Sequence, residues 1–221
     1  MDISYLGHSC FRLRGKTATV VMDPYSREVG FSLPGVTADI VTISHDHADH
    51  NAALAVKGTA RRSEPFVISA PGEYEILGTS VFGVPSFHDS KNGQQRGKNV
   101  MFVVHIDGFA VAHLGDLGHT LSDKQIEELD GVDILLCPVG GEYTIDAKEA
   151  AEVINEIGPS YVIPMHFQTP KHDAKTFSKV APLETFLSYM GAVEAKRADK
   201  LTPSLLSMPE ETEVIVLEPG V

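Results

Sequence analysis

The feature that most constrains the fold is the segment "SHDHADHN", residues 44–51, which packs three histidines and two aspartates into six consecutive positions. Histidine and aspartate are poor residues for a helix interior, and aspartate prefers caps and turns. The apolar run "DIVTIS" directly before the segment predicts a buried strand. A chain that needed only a strand or a helix would not choose these side chains. The segment therefore indicates a ligand-bearing loop at the end of a strand.

The rest of the sequence predicts two different halves. Before about residue 113, β-rich runs are broken by glycine and proline, and they include a hairpin that turns at Asp107–Gly108. After it, strands such as "VDILLCPV" and "YVIPMH" alternate with helical patterns. Strands followed by alternating strands and helices indicate an α/β fold, a four-layer αββα sandwich of two mixed β-sheets. We expect residues 1–221 to form a single domain, because no repeat or linker interrupts them.

Four segments have helical patterns. A short helix is predicted over residues 47–58, ending at Gly58. A second follows a capping box of Ser122 and Gln125 and ends at Gly131, and a third ends at Gly158–Pro159. The fourth pattern is "PLETFLSYMG".

Charge and composition exclude several classes of partner. The formal net charge is −12, which should repel long nucleic acids, although a local basic or metal-lined cleft could hold a small phosphorylated molecule. The N-terminus does not resemble a secretory signal, and no run approaches the length of a membrane span, so we expect a cytoplasmic protein with no membrane partner. Cys10 and Cys137 lie in apolar runs and are interpreted as buried thiols.

The histidine-rich segment predicts a metal centre. His45 and His47 are two residues apart on an extended segment, so both side chains can reach one ion. Asp49 and His50 project differently after the chain turns, and they could serve a second ion. Further candidate ligands stand where strand patterns end, and these are His88, Asp116 and His166. Among them, Asp116 is the carboxylate best suited to bridge two cations.

The donor types limit the metal. Neutral imidazole and carboxylate suit Zn, Mn or Fe(II), and the absence of a nearby cysteine argues against a structural zinc–thiolate site. Two such ions would lower the pKa of a shared water toward neutrality and hold it as a bridging hydroxide. Asp49 could then orient the water or accept its proton.

At this point the chain resembles the metallo-β-lactamase superfamily. The motifs that carry the resemblance arrive in the order of that family and span Tyr5 to about Phe167: "YLGHSCF", "DPY", "SHDHADHN", "PGEYEI", "HLGDLGH", "PVGGEYT" and "IPMHF". More narrowly, they are similar to those of small metal-dependent hydrolases of the L-ascorbate-6-phosphate lactonase group. The resemblance implies the metallo-β-lactamase fold, two divalent ions with zinc as the first choice and manganese or iron as alternatives, and a homo-oligomer.

The resemblance also implies a role for each ligand. It places His45, His47 and His88 on the first metal and Asp49, His50 and His166 on the second, with Asp116 bridging both. Asp23 in "MDPY" matches an early aspartate that supports the ligand loop without binding metal.

The remaining motif residues have two interpretations each. His8 could line the cleft or be structural, and His113 and His119 could orient Asp116 or only pack. Gly140, Gly141 and Tyr143 in "PVGGEYT" could contact a substrate anion, or the glycines could form a turn before a helix capped by Thr144 or Asp146. His105 and His172 are expected to be structural or solvated. The basic segment Lys91–Asn99 is interpreted as a solvated loop, with a phosphate contact through Lys91, Arg96 or Lys98 as the alternative.

These observations lead to one main functional hypothesis. The chain is expected to be a metal-dependent hydrolase that acts on a small anionic lactone or ester, phosphorylated or not. The alternatives are a phosphodiesterase that acts on cyclic or short nucleotides, and a non-catalytic metal-binding or sensing protein.

Overall fold

The computed structural model describes residues 1–220, so Val221, the last residue of the predicted domain, lies outside it. This part of the chain contains fifteen β-strands: β1 (Asp2–Gly7), β2 (Cys10–Arg14), β3 (Thr19–Met22), β4 (Thr37–Ala38), β5 (Ile40–Thr42), β6 (Lys57–Gly58), β7 (Phe66–Ile68), β8 (Gly72–Ile76), β9 (Thr79–Phe87), β10 (Lys98–Ile106), β11 (Phe109–His113), β12 (Ile134–Pro138), β13 (Tyr161–Met165), β14 (Lys196–Ala198) and β15 (Glu213–Leu217). It also contains four α-helices: α1 (Asp123–Glu128), α2 (Ala147–Ile157), α3 (Ala174–Phe177) and α4 (Leu183–Tyr189).

The strands form two mixed sheets, as the sequence predicts. The first sheet has the order β1-β2-β3-β5-β7, and the second has the order β14-β15-β13-β12-β11-β10-β9-β8. The predicted hairpin of β10 and β11 is confirmed, and its turn places Asp107 and Gly108 in the left-handed region. The short strands β4 and β6 pair separately.

The core lies between the two sheets. In β3, Val20 and Met22 face this core, whereas Val21 between them points to the opposite face of the first sheet. On that outer face, Val21 packs in a second cluster with Val29, from a single 3-10 turn, and Phe177 of α3. The first sheet is therefore buried on both faces, which explains the almost unbroken apolar character of its strands.

Three of the predicted helices form, and two of them, α1 and α2, begin at side-chain caps. Both halves of the capping box at α1 are present, with the Ser122 side chain accepting from the backbone N–H of Gln125. Helix α2 is capped by Asp146 and ends at Gly158 in the left-handed conformation, and it packs against α4 and β12.

The helix predicted over residues 47–58 is wrong. The segment makes one turn after His47 and a single 3-10 turn at Ala53–Ala55, and then pairs as β6. Its backbone bonds leave the segment, because the N–H of Ala52 donates to the carbonyl of Pro24 and the carbonyl of Ala48 accepts from Ser26. These tertiary bonds replace the i to i−4 bonds that an α-helix would need.

Strand direction brings the functional motifs to one edge. Strands β3 and β5 are parallel, and β1 runs the same way because both β1 and β3 are antiparallel to β2. In the second sheet, β9, β11, β12 and β13 likewise share one direction. The carboxyl ends of the strands therefore meet at a common edge of each sheet, where ligands from distant sequence can converge. No helix in residues 1–220 is long and apolar enough to cross a membrane.

Candidate metal centre

The titratable residues of the centre come directly after strand ends. His8 follows β1, Asp23 follows β3, His88 follows β9 and His166 follows β13. Of these, His8, Asp23 and His166 have positive φ angles of 55°, 44° and 53°. A non-glycine residue in this region is strained, and such strain is concentrated at functional sites. Two of these residues brace each other, since the N–H of His166 donates to the carbonyl of His8 at 2.9 Å.

The first ligand cluster contains His45, His47 and His88. One ring nitrogen from each lies within 4.8 Å of the others. His45 and His88 are buried and His47 is exposed, so this cluster opens toward solvent on the side of His47. The three residues are the set that the sequence analysis places on the first metal.

The second ligand cluster contains Asp49, His50 and His166, together with His8. Their ligand atoms again lie within 4.8 Å of one another. His8, His50 and His166 are buried, and Asp49 is half-buried. Asp49, His50 and His166 are the residues that the resemblance places on the second metal, and His8 is the histidine expected either to line the cleft or to be structural.

Asp116 lies between the two clusters. Its Oδ2 is 3.3 Å from Nε2 of His88 and 3.3 Å from Nε2 of His166, and its Oδ1 is 3.3 Å from Nε2 of His50. Nε2 of His45 is more distant, at 3.9 Å. The carboxylate therefore contacts histidines of both clusters, which is the placement that a bridging ligand requires.

Several buried polar atoms at the centre have no hydrogen-bond partner in the protein, and they show whether a metal ion would fit. Buried ring nitrogens and a carboxylate oxygen converge without a hydrogen-bond partner, and they include Nε2 of His45, His50 and His166 and Oδ1 of Asp116. Buried polar groups are normally satisfied, so a set of orphaned acceptors that point at one another needs an explanation. Cations held between them would satisfy them together, and the imidazole and carboxylate donor set suits Zn, Mn or Fe(II). The residues present fit a metal centre.

Asp23 supports the ligands from behind. Its carboxylate accepts from the backbone N–H and the hydroxyl of Ser44 and from Nδ1 of His50, the last at 2.8 Å. Because Nδ1 of His50 donates there, its Nε2 is the nitrogen that faces Asp116 and is available to bind a metal. Asp23, His45 and His50 also lie close enough together to form a third possible metal-binding group. The oxygens of Asp23, however, already accept hydrogen bonds from Ser44 and His50.

Burial and neighbouring charges set the ionisation of the ligands. Burial lowers the pKa of His45 to about 3 and also lowers the pKa of His88, which keeps both imidazoles in the neutral, ligating form. Burial alone would lower the pKa of His50, but the Asp116 and Asp23 carboxylates outweigh it and raise this pKa well above its usual value. Burial opposes ionisation of Asp116, yet His166 and His50 hold its pKa well below the usual range. Without metal, the ionised Asp116 therefore favours the protonated, positively charged form of His50 at the centre of the site.

His113 and Asn99 hold the loop that carries Asp116. Nε2 of His113 donates to the carbonyl of Ser9, and its Nδ1 accepts from the N–H of Gly115. The Asn99 side-chain oxygen accepts from the N–H of Asp116 at 3.0 Å. These bonds fix the backbone on both sides of the bridging position. The sequence analysis missed Asn99, because a single asparagine at a strand start carries no distinctive signal.

His119 acts on a different ligand from the one expected. Its Nε2 accepts from the backbone N–H of Phe87 at 3.2 Å, directly before His88. Its Nδ1 donates to the carbonyl of Thr120. The proximity of His119 to Asp116 in sequence is therefore misleading, because its ring supports the strand end that carries His88.

A chain of neutral histidines fixes the tautomer of His8. Nδ1 of His172 accepts from the N–H of Thr169, so its Nε2 carries the proton and donates to Nδ1 of His8 at 3.2 Å. Burial lowers the pKa of His8 to about 4 and that of His172 to about 3, so both rings are neutral near pH 7. Nε2 of His8 then bears a proton and lies 3.3 Å from Oδ2 of Asp49. His8 thus offers a buried N–H to the site, while His172, expected to be structural or solvated, holds it in place.

The glycine pair of "PVGGEYT" forms the turn before α2 and packs on the backbone of His166. The N–H of Gly141 donates to the carbonyl of Ile145, which closes the turn before α2. A Cβ atom at Gly140 would overlap the carbonyl oxygen of His166, so this glycine permits close backbone packing. The expected turn before the helix is therefore confirmed, and a contact of these glycines with a substrate anion stays a prediction. Asp146, one of the two expected caps, is the residue that caps the helix.

Tyr143 does lie beside the centre. Its ring centroid is 6.4 Å from that of His166, and its hydroxyl donates to the carbonyl of Thr176 at 2.9 Å. The guanidinium of Arg96 lies 5.3 Å from the centroid of the same ring. No local sequence pattern predicts that these two residues meet.

A cavity of about 720 Å³ adjoins the first ligand cluster. His45 and His47 form part of its wall, and Arg96 and Lys98 line it as well. Its volume lies in the range of small-molecule sites. His105, by contrast, is exposed and lines a separate cavity of about 410 Å³ with Glu128 and Asp130.

Comparison with known proteins agrees with this geometry. Residues 2–166 match the model of the β-lactamase superfamily domain. A UPF0173 metal-dependent hydrolase from Methanoregula boonei is 33% identical over 209 residues, which cover 85% of this chain and 93% of that protein. A protein of the same description from Carboxydothermus hydrogenoformans is 29% identical and covers 76% of this chain and 85% of its own length.

Solved structures give the same result. A crystal structure from Thermotoga maritima, described as a candidate zinc-dependent hydrolase of the metallo-β-lactamase superfamily, is 38% identical with a TM-score of 0.78. The alignment covers 98% of this chain and 97% of that one. A metallo hydrolase from Ignicoccus hospitalis, at 23% identity and a TM-score of 0.69, covers 100% of this chain and 96% of its own and shares the fold.

Proposed function

Because this chain belongs to the metallo-β-lactamase superfamily, and within it to the UPF0173 metal-dependent hydrolases, we propose that it hydrolyses a small anionic lactone or ester. The observation that carries the proposal is the convergence of orphaned buried imidazole nitrogens around Asp116, beside a cavity of small-molecule size. The resemblance to the L-ascorbate-6-phosphate lactonase group supports a lactone, with or without a phosphate, as one form of the substrate.

We propose that two divalent ions occupy the centre, with zinc first and manganese or iron(II) as alternatives. His45, His47 and His88 would hold one ion, Asp49, His50 and His166 the other, and Asp116 both. When bound, such ions polarise a substrate oxygen and lower the pKa of water. No side-chain nucleophile is then required.

The residues around the centre supply proton handling and orientation. Burial opposes ionisation of Asp49, but His8 and His50 lower its pKa, so its carboxylate is ionised at neutral pH and can bind an ion and orient an attacking water. The Nε2–H of His8 is aimed at the same region and can donate to a substrate oxygen or to Asp49. Asp23, through His50 and Ser44, keeps the ligand loop in register.

The character of the cavity supports a small anion. Arg96 and Lys98 line it in a chain whose formal net charge is −12. Two cationic side chains beside the centre attract an anionic substrate, whereas the overall charge disfavours long polyanions.

The test compares three chromogenic or spectrophotometric substrates with protein loaded separately with Zn or Mn and assayed for metal content. We expect metal-dependent hydrolysis of the anionic ester mono-(p-nitrophenyl) glutarate and slower hydrolysis of the neutral p-nitrophenyl acetate, both lost by orders of magnitude in Asp116→Ala. The matched control is His105→Ala, which removes an exposed histidine remote from the centre and should retain turnover.

The outcomes separate the alternatives. Hydrolysis of bis(p-nitrophenyl) phosphate alone would replace the proposal by a phosphodiesterase that acts on cyclic or short nucleotides. Metal-loaded protein that turns over none of the three would contradict the proposed substrate class.

A further inference from the structure

The loop between β9 and β10 is solvent-exposed over most of its length, as expected, but it is built around a buried carboxylate. Asp89, directly after His88, is buried, and its carboxylate accepts four backbone hydrogen bonds, from Lys91, Gly93, Gln95 and Arg96, between 2.7 and 3.0 Å. These bonds lower the pKa of Asp89 to about 2, although its burial acts in the opposite direction. The carboxylate therefore stays charged and fixes the path of the loop.

The two ends of this loop are tied to the metal centre. The N–H of His88 donates to the carbonyl of Gly97 at 3.1 Å. Two residues further on, Asn99 holds the backbone of Asp116. The loop is thus anchored on one side by a ligand and on the other by the residue that positions the bridging carboxylate. A side chain carried by the loop has a defined position relative to the reaction centre.

Arg96 is the side chain that the loop directs toward the centre. It is half-buried, lines the 720 Å³ cavity with His45 and His47, and lies over the ring of Tyr143, which in turn neighbours His166. Arg96 therefore shares a cavity with residues of the first ligand cluster and contacts a ring that neighbours a residue of the second. Stacking on an aromatic ring fixes the plane of a guanidinium and leaves its N–H edge free for a ligand.

The charge of Arg96 is not matched by the protein. In residues 1–220, the arginines that form ion pairs with carboxylates are Arg61, with Asp39, and Arg197, with Glu218. Arg96 has no such partner within this part of the chain. A half-buried, preorganised and unpaired guanidinium beside a reaction centre is the arrangement that binds a carboxylate or phosphate through two parallel hydrogen bonds.

We propose that Arg96, whose guanidinium lies over the ring of Tyr143, forms a subsite for the anionic group of the substrate, a carboxylate or phosphate separate from the bond that is cleaved. This inference rests on the proposed function, and it names the residue that selects anionic over neutral substrates. Lys98 is exposed on the same cavity and adds charge, but it lacks the ring that would orient it.

The first measurement uses a matched pair of esters with metal-loaded protein. p-Nitrophenyl acetate is neutral, whereas mono-(p-nitrophenyl) glutarate carries a free carboxylate on the same leaving group. We expect the ratio of kcat/KM for the glutarate ester to that for the acetate to fall about tenfold or more in Arg96→Gln, because two charge-assisted hydrogen bonds are lost. Arg96→Lys should give an intermediate ratio, since an ammonium keeps the charge but not the paired geometry.

The matched control is Lys91→Gln. It removes the same charge from the same loop, but Lys91 is exposed and does not line the cavity. Its kcat/KM ratio should equal that of the wild type. An equal fall of the kcat/KM ratio in Lys91→Gln and Arg96→Gln would overturn the subsite and indicate only a general effect of charge. An unchanged ratio in Arg96→Gln would overturn it as well.

Calorimetric binding separates this inference from the proposed function. Glutarate and phenyl phosphate are titrated into wild-type, Arg96→Gln and Lys91→Gln protein, and the tighter of the two anions identifies the chemistry of the subsite. We expect binding to weaken about tenfold in Arg96→Gln alone. If the anions bind in an Arg96-dependent way but neither ester is hydrolysed, the proposed function fails and the subsite stands. If wild-type protein binds neither anion, the subsite is wrong.

Discussion

At the scale of single residues, Asp23 shows how a ligand is positioned by a group that does not bind the metal. Its carboxylate is fully buried and accepts from Ser44 and His50, so Nε2 of His50 is the ring nitrogen that faces Asp116. Replacing the carboxylate by an amide preserves its shape, but it puts an N–H in the place of one acceptor. Positioning groups of this kind typically contribute 10–100-fold to metal affinity.

We therefore predict that Asp23→Asn folds and binds Zn about 10–100-fold more weakly than the wild type. Competition with a chromogenic chelator measures the affinity, and circular dichroism checks the fold. Asp46→Asn is the matched control, because Asp46 belongs to the same motif but is exposed and bonds only to Asn51 among the side chains of the loop. Equal affinity in Asp23→Asn and the wild type would contradict the role assigned to Asp23.

At the scale of elements, the turn between β12 and α2 sets the position of a ligand on the neighbouring strand. Gly140 packs so closely on the backbone of His166 that a Cβ atom has no room. The carbonyl of Gly140 also accepts from the N–H of Ala181, which prevents the turn from moving aside. Gly140 therefore supports the metal centre through its packing on the backbone of His166.

The expected result of Gly140→Ala is a loss of about 1–3 kcal/mol in the free energy of unfolding, typical of an overpacked site. Metal affinity should fall as well, because the displaced backbone carries His166. Urea denaturation and chelator competition measure the two effects. Gly35→Ala is the control, since Gly35 is exposed with nothing within 4 Å of an added Cβ, and its effect should stay within about 0.5 kcal/mol. A metal affinity in Gly140→Ala equal to that of the wild type would show that the packing of Gly140 does not set the position of His166.

At the scale of the whole molecule, the centre joins the two sheets. His45 follows a strand of the first sheet, whereas His88, Asp116 and His166 follow strands of the second. A metal bound by both sets links the two layers directly. Binding to the folded state alone stabilises it by an amount that depends on free metal concentration.

Removal of metal should therefore destabilise the fold as a whole. With free metal at 100 times its Kd, the stabilisation is about 2.7 kcal/mol, which corresponds to roughly 5–10 °C in Tm for a domain of this size. Calorimetric scans with and without chelator measure the shift. It should disappear in His45→Ala and persist in His105→Ala, whose side chain is exposed elsewhere. Identical melting curves of wild-type protein with and without chelator would show that the centre does not bind metal under these conditions.

The sequence by itself determined the elements and the ligand types. Apolar alternation, glycine breaks and capping boxes predicted the two mixed sheets and the helices α1, α2 and α4, because these signals act over a few residues. The donor atoms were equally visible, since histidine and aspartate at strand ends limit the chemistry before any geometry is known. Local patterns gave a wrong prediction for residues 47–58, because hydrogen bonds to distant residues replace the bonds of the predicted helix.

Only the tertiary structure decided which residues meet. Nothing within a few positions of Arg96 indicates that it will lie on Tyr143, or that His172 will fix the tautomer of His8. These contacts join segments far apart in the chain, and they depend on the direction of whole strands and on the path of a loop around Asp89. Sequence patterns report propensity over one turn or one strand, whereas a site is formed by the packing of several such elements at one edge of the two sheets.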